Sequence, residues 1–76
     1  MTYFLDWRLD EPSPVSIRAA RQASGLTLAQ AAHSCGLGAA PRWAEFEGGR
    51  RAIDPARWAL FLLVTDQHPD LRLRAR

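Results

Sequence analysis

Lysine is missing from the sequence: all ten basic residues are arginine. Arginine presents a planar fork suited to phosphates and guanine edges, although a G+C-rich genome gives the same bias with no functional meaning. Cysteine occurs once, which excludes an internal disulfide, and a lone thiol suits a reducing cytoplasm. No apolar run reaches the length needed to cross a bilayer; residues 56 to 64 come nearest and include Arg57. The opening residues have no basic start and contain Asp6, Asp10 and Glu11, so a signal peptide is not expected. Metal-ligand clusters are also lacking, because His33 and Cys35 have no nearby partners to complete a tetrahedral set and His68 is distant in sequence. Gly36-x-Gly38 follows no strand and lacks the third glycine of a dinucleotide loop. No nucleophile has histidine and carboxylate support, and the chain is too short to enclose a substrate. We therefore expect no enzyme, no cofactor, no metal, no small-molecule substrate and no membrane partner.

What is present is a globular composition, 47% hydrophobic, in 76 residues. A single core is only just sufficient at that size, so dimerisation would be a natural supplement. The formal net charge of +2 is unevenly distributed. Residues 1 to 16 carry one arginine against three acids, a net of −2. Residues 17 to 57 carry six arginines against Glu45, Glu47 and Asp54, a net of +3, and residues 58 to 76 a net of +1.

The segment 27 to 47 organises the rest. Thr27 caps a short helix with Gln30 reaching back from three residues on, and Ala29, Ala31 and Ala32 keep that helix slim. Gly36 supplies the left-handed residue that ends it, and Gly38 keeps the connection loose. Pro41 fits the first turn of the next helix, which carries Trp43 and Phe46 on one face before Gly48-Gly49 stops it. Two helices joined by a glycine-bearing turn make a helix-turn-helix layout.

Around this centre the alternation in residues 2 to 9 predicts a short N-terminal strand, with Leu71 and Leu73 in the tail as a pairing candidate; helical continuation is the alternative. Residues 10 to 13 form a linker, and Ser13-Pro14 opens a helix over 14 to 23 with Val15, Ala19 and Ala23 on its apolar stripe, Ile17 and Ala20 nearby, and Arg18 and Arg21 off it. Gly25 ends that helix. Asp54 and Pro55 open a fourth, which runs to about Asp66 and is apolar almost all round, with Trp58 and Phe61 as core anchors; His68-Pro69 terminates it. The organisation expected is an arm and linker over 1–13, a helical domain over 14–67 and a tail over 68–76.

The ordered set RxxxGLTxxQAA, a glycine turn and WxxFExG, residues 21 to 49, resembles the XRE or lambda-repressor-like helix-turn-helix family. The likeness extends over residues 15 to 65, and the stretch from Arg50 to Pro69 is similar to small regulators of plasmids, phages and related mobile elements. It implies a mainly α, compact four-helix DNA-binding domain in which the second helix of the motif enters the major groove and two copies read an inverted repeat. It further implies an ion pair between Arg21 and Glu47 that sets the angle of the reading helix, and core roles for Trp43 and Phe46. Reading positions fall on Ala39, Ala40, Pro41, Arg42, Ala44 and Glu45, with Arg42 addressing a guanine and Glu45 a cytosine N4 or, alternatively, pairing with Arg42. Phosphate contacts fall to Thr27, Arg50 and Arg51.

Three departures stand out. The run from Gly36 to Glu47 is one residue longer than the commonest spacing, the reading helix starts Ala-Ala-Pro, and Leu28 replaces a phosphate-binding glutamine. The expected function is thus a cytoplasmic regulator that binds double-stranded DNA as a homodimer, most simply as a repressor acting by occupancy. A protein-interaction module on the same scaffold, such as an adaptor or antitoxin-like partner, is the alternative.

Overall fold

Four caps begin the helices, and three of them are side-chain caps. The computed structural model describes residues 9–74, with α1 at Pro14–Ser24, α2 at Leu28–Ser34, α3 at Ala40–Glu47 and α4 at Pro55–Val64. Ser13 Oγ accepts from the Ser16 N–H at 3.1 Å. Thr27 Oγ1 accepts from Gln30 N at 3.1 Å while the Thr27 N–H donates to Gln30 Oε1 at 2.9 Å, a complete capping box. Asp54 accepts from Arg57 N at 3.2 Å. Proline follows the cap directly in α1 and α4, where its missing N–H is no loss. Only α3 starts without a side-chain cap, because its cap residue is Ala39.

Left-handed residues close the turns between them. Gly25 (φ 72°) and Gly36 (φ 83°) end α1 and the α2 turn, and Gly49 (φ 76°) reverses the chain after α3. The end of α4 differs from the sequence expectation. It stops at Val64 rather than near Asp66, because Asp66 takes φ 59° and its N–H turns to Leu63 O at 3.2 Å, out of the helical ladder. Leu62 O then accepts from both Gln67 N and His68 N, so the helix is closed before Pro69 is reached.

The core is built on Trp43, which is wholly buried. Its ring meets Phe61 of α4 at 4.6 Å and Phe46 edge-on at 5.8 Å, and Trp58 stacks on Phe61 at 5.9 Å. Ala31 and Ala32 have no exposed surface, and their small size lets α2 lie close to α3 and α4. Ile17, Cys35, Leu37, Ile53 and Leu62 complete the cluster, with Leu9, Ala20, Leu26 and Leu28 packed at its margin.

The face of α1 is a second correction. The stripe Val15, Ala19, Ala23 points outward, Val15 being 78% exposed, and the buried side is Ile17 with half-buried Ala20, Arg21 and Ser24. One isoleucine outweighs several alanines, since burial energy follows apolar area. His68 is a third. Instead of hanging in the tail it is buried, and its Nδ1 accepts from the Asp70 and Leu71 N–H groups at 3.1 and 3.0 Å. The expected N-terminal strand lies on residues 2 to 9, of which 2 to 8 are outside the described residues; among the described residues no strand forms, and the tail over 70 to 74 is irregular. No helix among the described residues is long and apolar enough to cross a membrane.

Candidate nucleic-acid interface

The inward edge of α3 is fixed by charge as well as by aromatic packing. Glu47 Oε2 accepts from Arg21 Nε of α1 at 2.6 Å, and Oε1 accepts from Arg21 Nη2 at 3.2 Å, a bidentate clasp. Arg21 Nη1 donates to Leu26 O at 3.1 Å, which ties the α1–α2 turn to the same group. The Trp43 indole N–H adds a third donor to Glu47 Oε2 at 2.6 Å. Burial pushes the Glu47 carboxyl upward, but the Arg21 and Trp43 hydrogen bonds outweigh it and hold the group below the ordinary carboxylate range. The same Glu47 bond raises Arg21 against its own desolvation. The side chains of this pair are only 17% and 10% exposed, so little water screens it.

Trp43, Phe46 and Glu47 face inward, so Pro41, Arg42 and Ala44 are left exposed, with Ala40 and Glu45 half-exposed. On this outer face two arginines converge on one oxygen. Glu45 Oε2 accepts from Arg51 Nε at 2.9 Å and lies 3.7 Å from Arg42 Nε. The Glu45 carbonyl meanwhile accepts the N–H groups of Arg50 and Arg51 at 3.0 and 3.3 Å. The loop after α3 is therefore folded back on the helix by the main chain and side chain of one residue. Among the described residues Arg50 has no acidic partner, and its side chain is exposed.

The remaining positions separate from this cluster. Ala39 is exposed at the uncapped start of α3. Thr27 is exposed, but its hydroxyl oxygen is occupied by the capping box. Trp58 and Phe61 belong to the core. Cys35 is buried, with its thiol directed at the Ala31 and Ala32 carbonyls, and burial pushes its pKa up although Arg57 pulls it down. No group of three or more potential metal ligands occurs among the described residues.

Two contacts escape a reading of the sequence. Trp43 is a hydrogen-bond donor as well as an apolar anchor, and its four-residue spacing from Glu47 was the available signal. The Arg51–Glu45 pair spans the glycine turn and has no periodic signature. The molecule is thus a helical domain with a charge-fixed inner edge and an arginine-bearing outer face. Comparison with protein-family models, with curated proteins and with solved structures finds no match to this chain.

Proposed function

We propose that this chain is a sequence-specific double-stranded DNA-binding transcriptional regulator of the lambda-repressor-like kind, acting as a homodimer on a short inverted repeat and most simply as a repressor. The observation that carries it is the convergence of Arg42 and Arg51 at one point on the outer face of α3, next to Arg50, on a helix braced from behind by Arg21 and Glu47. Arg42 is the main polar probe for a base edge, because Ala39, Ala40, Pro41 and Ala44 offer only apolar contact to a thymine methyl. Arg50 and Arg51 supply phosphate contacts, which position the helix without reading sequence. A second copy has an apolar surface to meet on α4, where Leu60 and Val64 are 42% and 47% exposed on one stripe with Ala56. Repression by occupancy needs no further machinery than a bound dimer in the path of polymerase.

Selection from a randomised duplex pool tests this, since it reads binding, half-site spacing and symmetry together. On the selected site Arg42→Ala should lose about 1–3 kcal/mol and relax preference at one position. Arg50→Ala should weaken all sequences alike and flatten the salt slope by about 1. An Arg42→Ala chain that keeps full affinity on its best site at fixed salt refutes the assigned register. The sparse hydrogen bonding at the start of α3 favours the second reading, a protein-interaction module, for which random duplex DNA would show no salt-dependent binding.

A further inference from the structure

We propose that Glu45 limits DNA affinity without reading a base: its carboxylate restrains Arg42 and Arg51, and a duplex engages them only by displacing it with phosphate and base acceptors. This rests on the DNA-binding function proposed above and assigns Glu45 a positioning role within it. Three observations support the role. The carboxylate oxygen that holds Arg51 at 2.9 Å is the one 3.7 Å from Arg42, so both cations share a single counter-charge. The Glu45 carbonyl fixes the Arg50 and Arg51 backbone, so the carboxylate acts on a loop already held in place. The three side chains are between 37% and 52% exposed, which leaves the pairs open to exchange with an outside anion.

Exchange at such a cluster has a thermodynamic consequence. Any duplex offers phosphate, but taking Arg42 and Arg51 from Glu45 leaves that carboxylate unpaired beside a polyanion. A poorly matched duplex gains too little to offset this and engages Arg50 alone. A matched site adds the bidentate base contact of Arg42 and displaces the carboxylate. Glu45 thus lowers affinity for random DNA by the phosphate contacts forgone and affinity for the correct site by the larger cost of displacement, so it sets a ceiling on binding and adds no preference.

The test compares wild type, Glu45→Gln, Arg51→Gln and the double substitution in the full chain. Binding is measured to a random-sequence duplex and to the best duplex from the selection, over a series of salt concentrations. Glu45→Gln should bind random duplex about 3- to 10-fold more tightly, with a log–log salt slope steeper by about 0.9–1.8 as one or two more phosphates are neutralised. The selected site should tighten by at least the same factor, so preference holds or rises, and the thermal midpoint should stay close to that of wild type. In the Arg51→Gln background the gain should drop to about half, the share left to Arg42. An undiminished gain in that background would mean simple loss of negative charge and would overturn the proposal, as would a preference in Glu45→Gln below that of wild type. A wild-type chain that binds no duplex removes the DNA reading itself, whereas normal binding with no Glu45→Gln effect removes the restraining role alone.

Discussion

Replacing Arg21 with methionine should show how much of this small domain depends on one clasp. Methionine keeps most of the apolar stem and removes the guanidinium, so the change isolates the bonds to Glu47 and to Leu26 O. Hydrogen bonds to charged groups contribute about 1.5–3 kcal/mol each, and a fully buried charge left alone costs about 3–5 kcal/mol. Glu47 retains the Trp43 donor and some water, at 10% exposure, which brings the expected loss to about 2–3 kcal/mol. A domain of 76 residues has a total stability of roughly 4–11 kcal/mol. The substitution therefore removes a large fraction, and the midpoint should fall by roughly 8–24 °C. Glu47→Gln should cost less, about 1–2 kcal/mol, because the amide oxygen still accepts from the Trp43 indole while Arg21 faces a neutral group. Urea unfolding followed by far-ultraviolet circular dichroism on both single variants and the double variant closes the cycle. A coupling energy of about 1–2 kcal/mol is expected for a half-buried pair. Coupling below about 0.5 kcal/mol would class the clasp with solvated surface pairs and refute its role in fixing α3.

Acid should act through the same group. The folded pKa of Glu47 lies below its unfolded value, so its contribution is complete above the ordinary carboxyl pKa of about 4.3 and disappears as pH falls through the folded value. Asp54 is displaced in the same direction, burial raising it less than the Arg57 bonds lower it, so stability against pH in Glu47→Gln should have a shallower acid limb without becoming flat. Ala39→Ser should raise stability by about 0.5–1 kcal/mol in urea unfolding, since the residue already has cap backbone angles of φ −154° and ψ 149° and lacks only the acceptor. No gain there would mean that the start of α3 is satisfied in another way. The Cys35 thiol should react with a thiol reagent only through opening of the fold, and Arg21→Met should speed that labelling about tenfold for each ~1.4 kcal/mol lost.

Local chemistry was the most legible part of the chain. The caps at Ser13, Thr27 and Asp54, their prolines, and the turn glycines Gly25 and Gly36 depend on neighbours within a few residues, so sequence alone locates the helix starts. Trp43, Phe46, Trp58 and Phe61 were legible as core because large aromatics at helical spacing leave few alternatives. The buried face of α1 was not, since alanines at 19, 20 and 23 give no strong direction and Ile17 decides it only when α3 is in place. The end of α4 falls two residues short of the expected point because the left-handed Asp66 closes the helix before proline can. His68 was equally hidden: its value as an acceptor for two backbone N–H groups depends on a tail conformation that no periodicity encodes. Of the outer cluster, the Arg42–Glu45 spacing could be read, but the Arg51 contact depends on the left-handed Gly49, which swings the loop back over the helix.

The two acids of α3 then divide the labour of the domain. Glu45 and Glu47 are two residues apart, so a helix directs them to opposite sides. Glu47 is held by donors from α1 and from its own helix, where its charge resists desolvation and fixes orientation. Glu45 is held by arginines that are themselves half in water, where a charge contributes little to folding but is felt by any approaching anion. The same chemical change, glutamate to glutamine, should therefore give opposite signatures at positions two residues apart. At 47 stability should fall while discrimination among duplexes holds once the variant is folded. At 45 stability should hold while affinity for every duplex rises. If both substitutions move stability alone, the outer face of α3 is a solvated surface and its arginines have no shared task; if both move duplex affinity alone, Glu47 is not the brace that its three hydrogen bonds indicate.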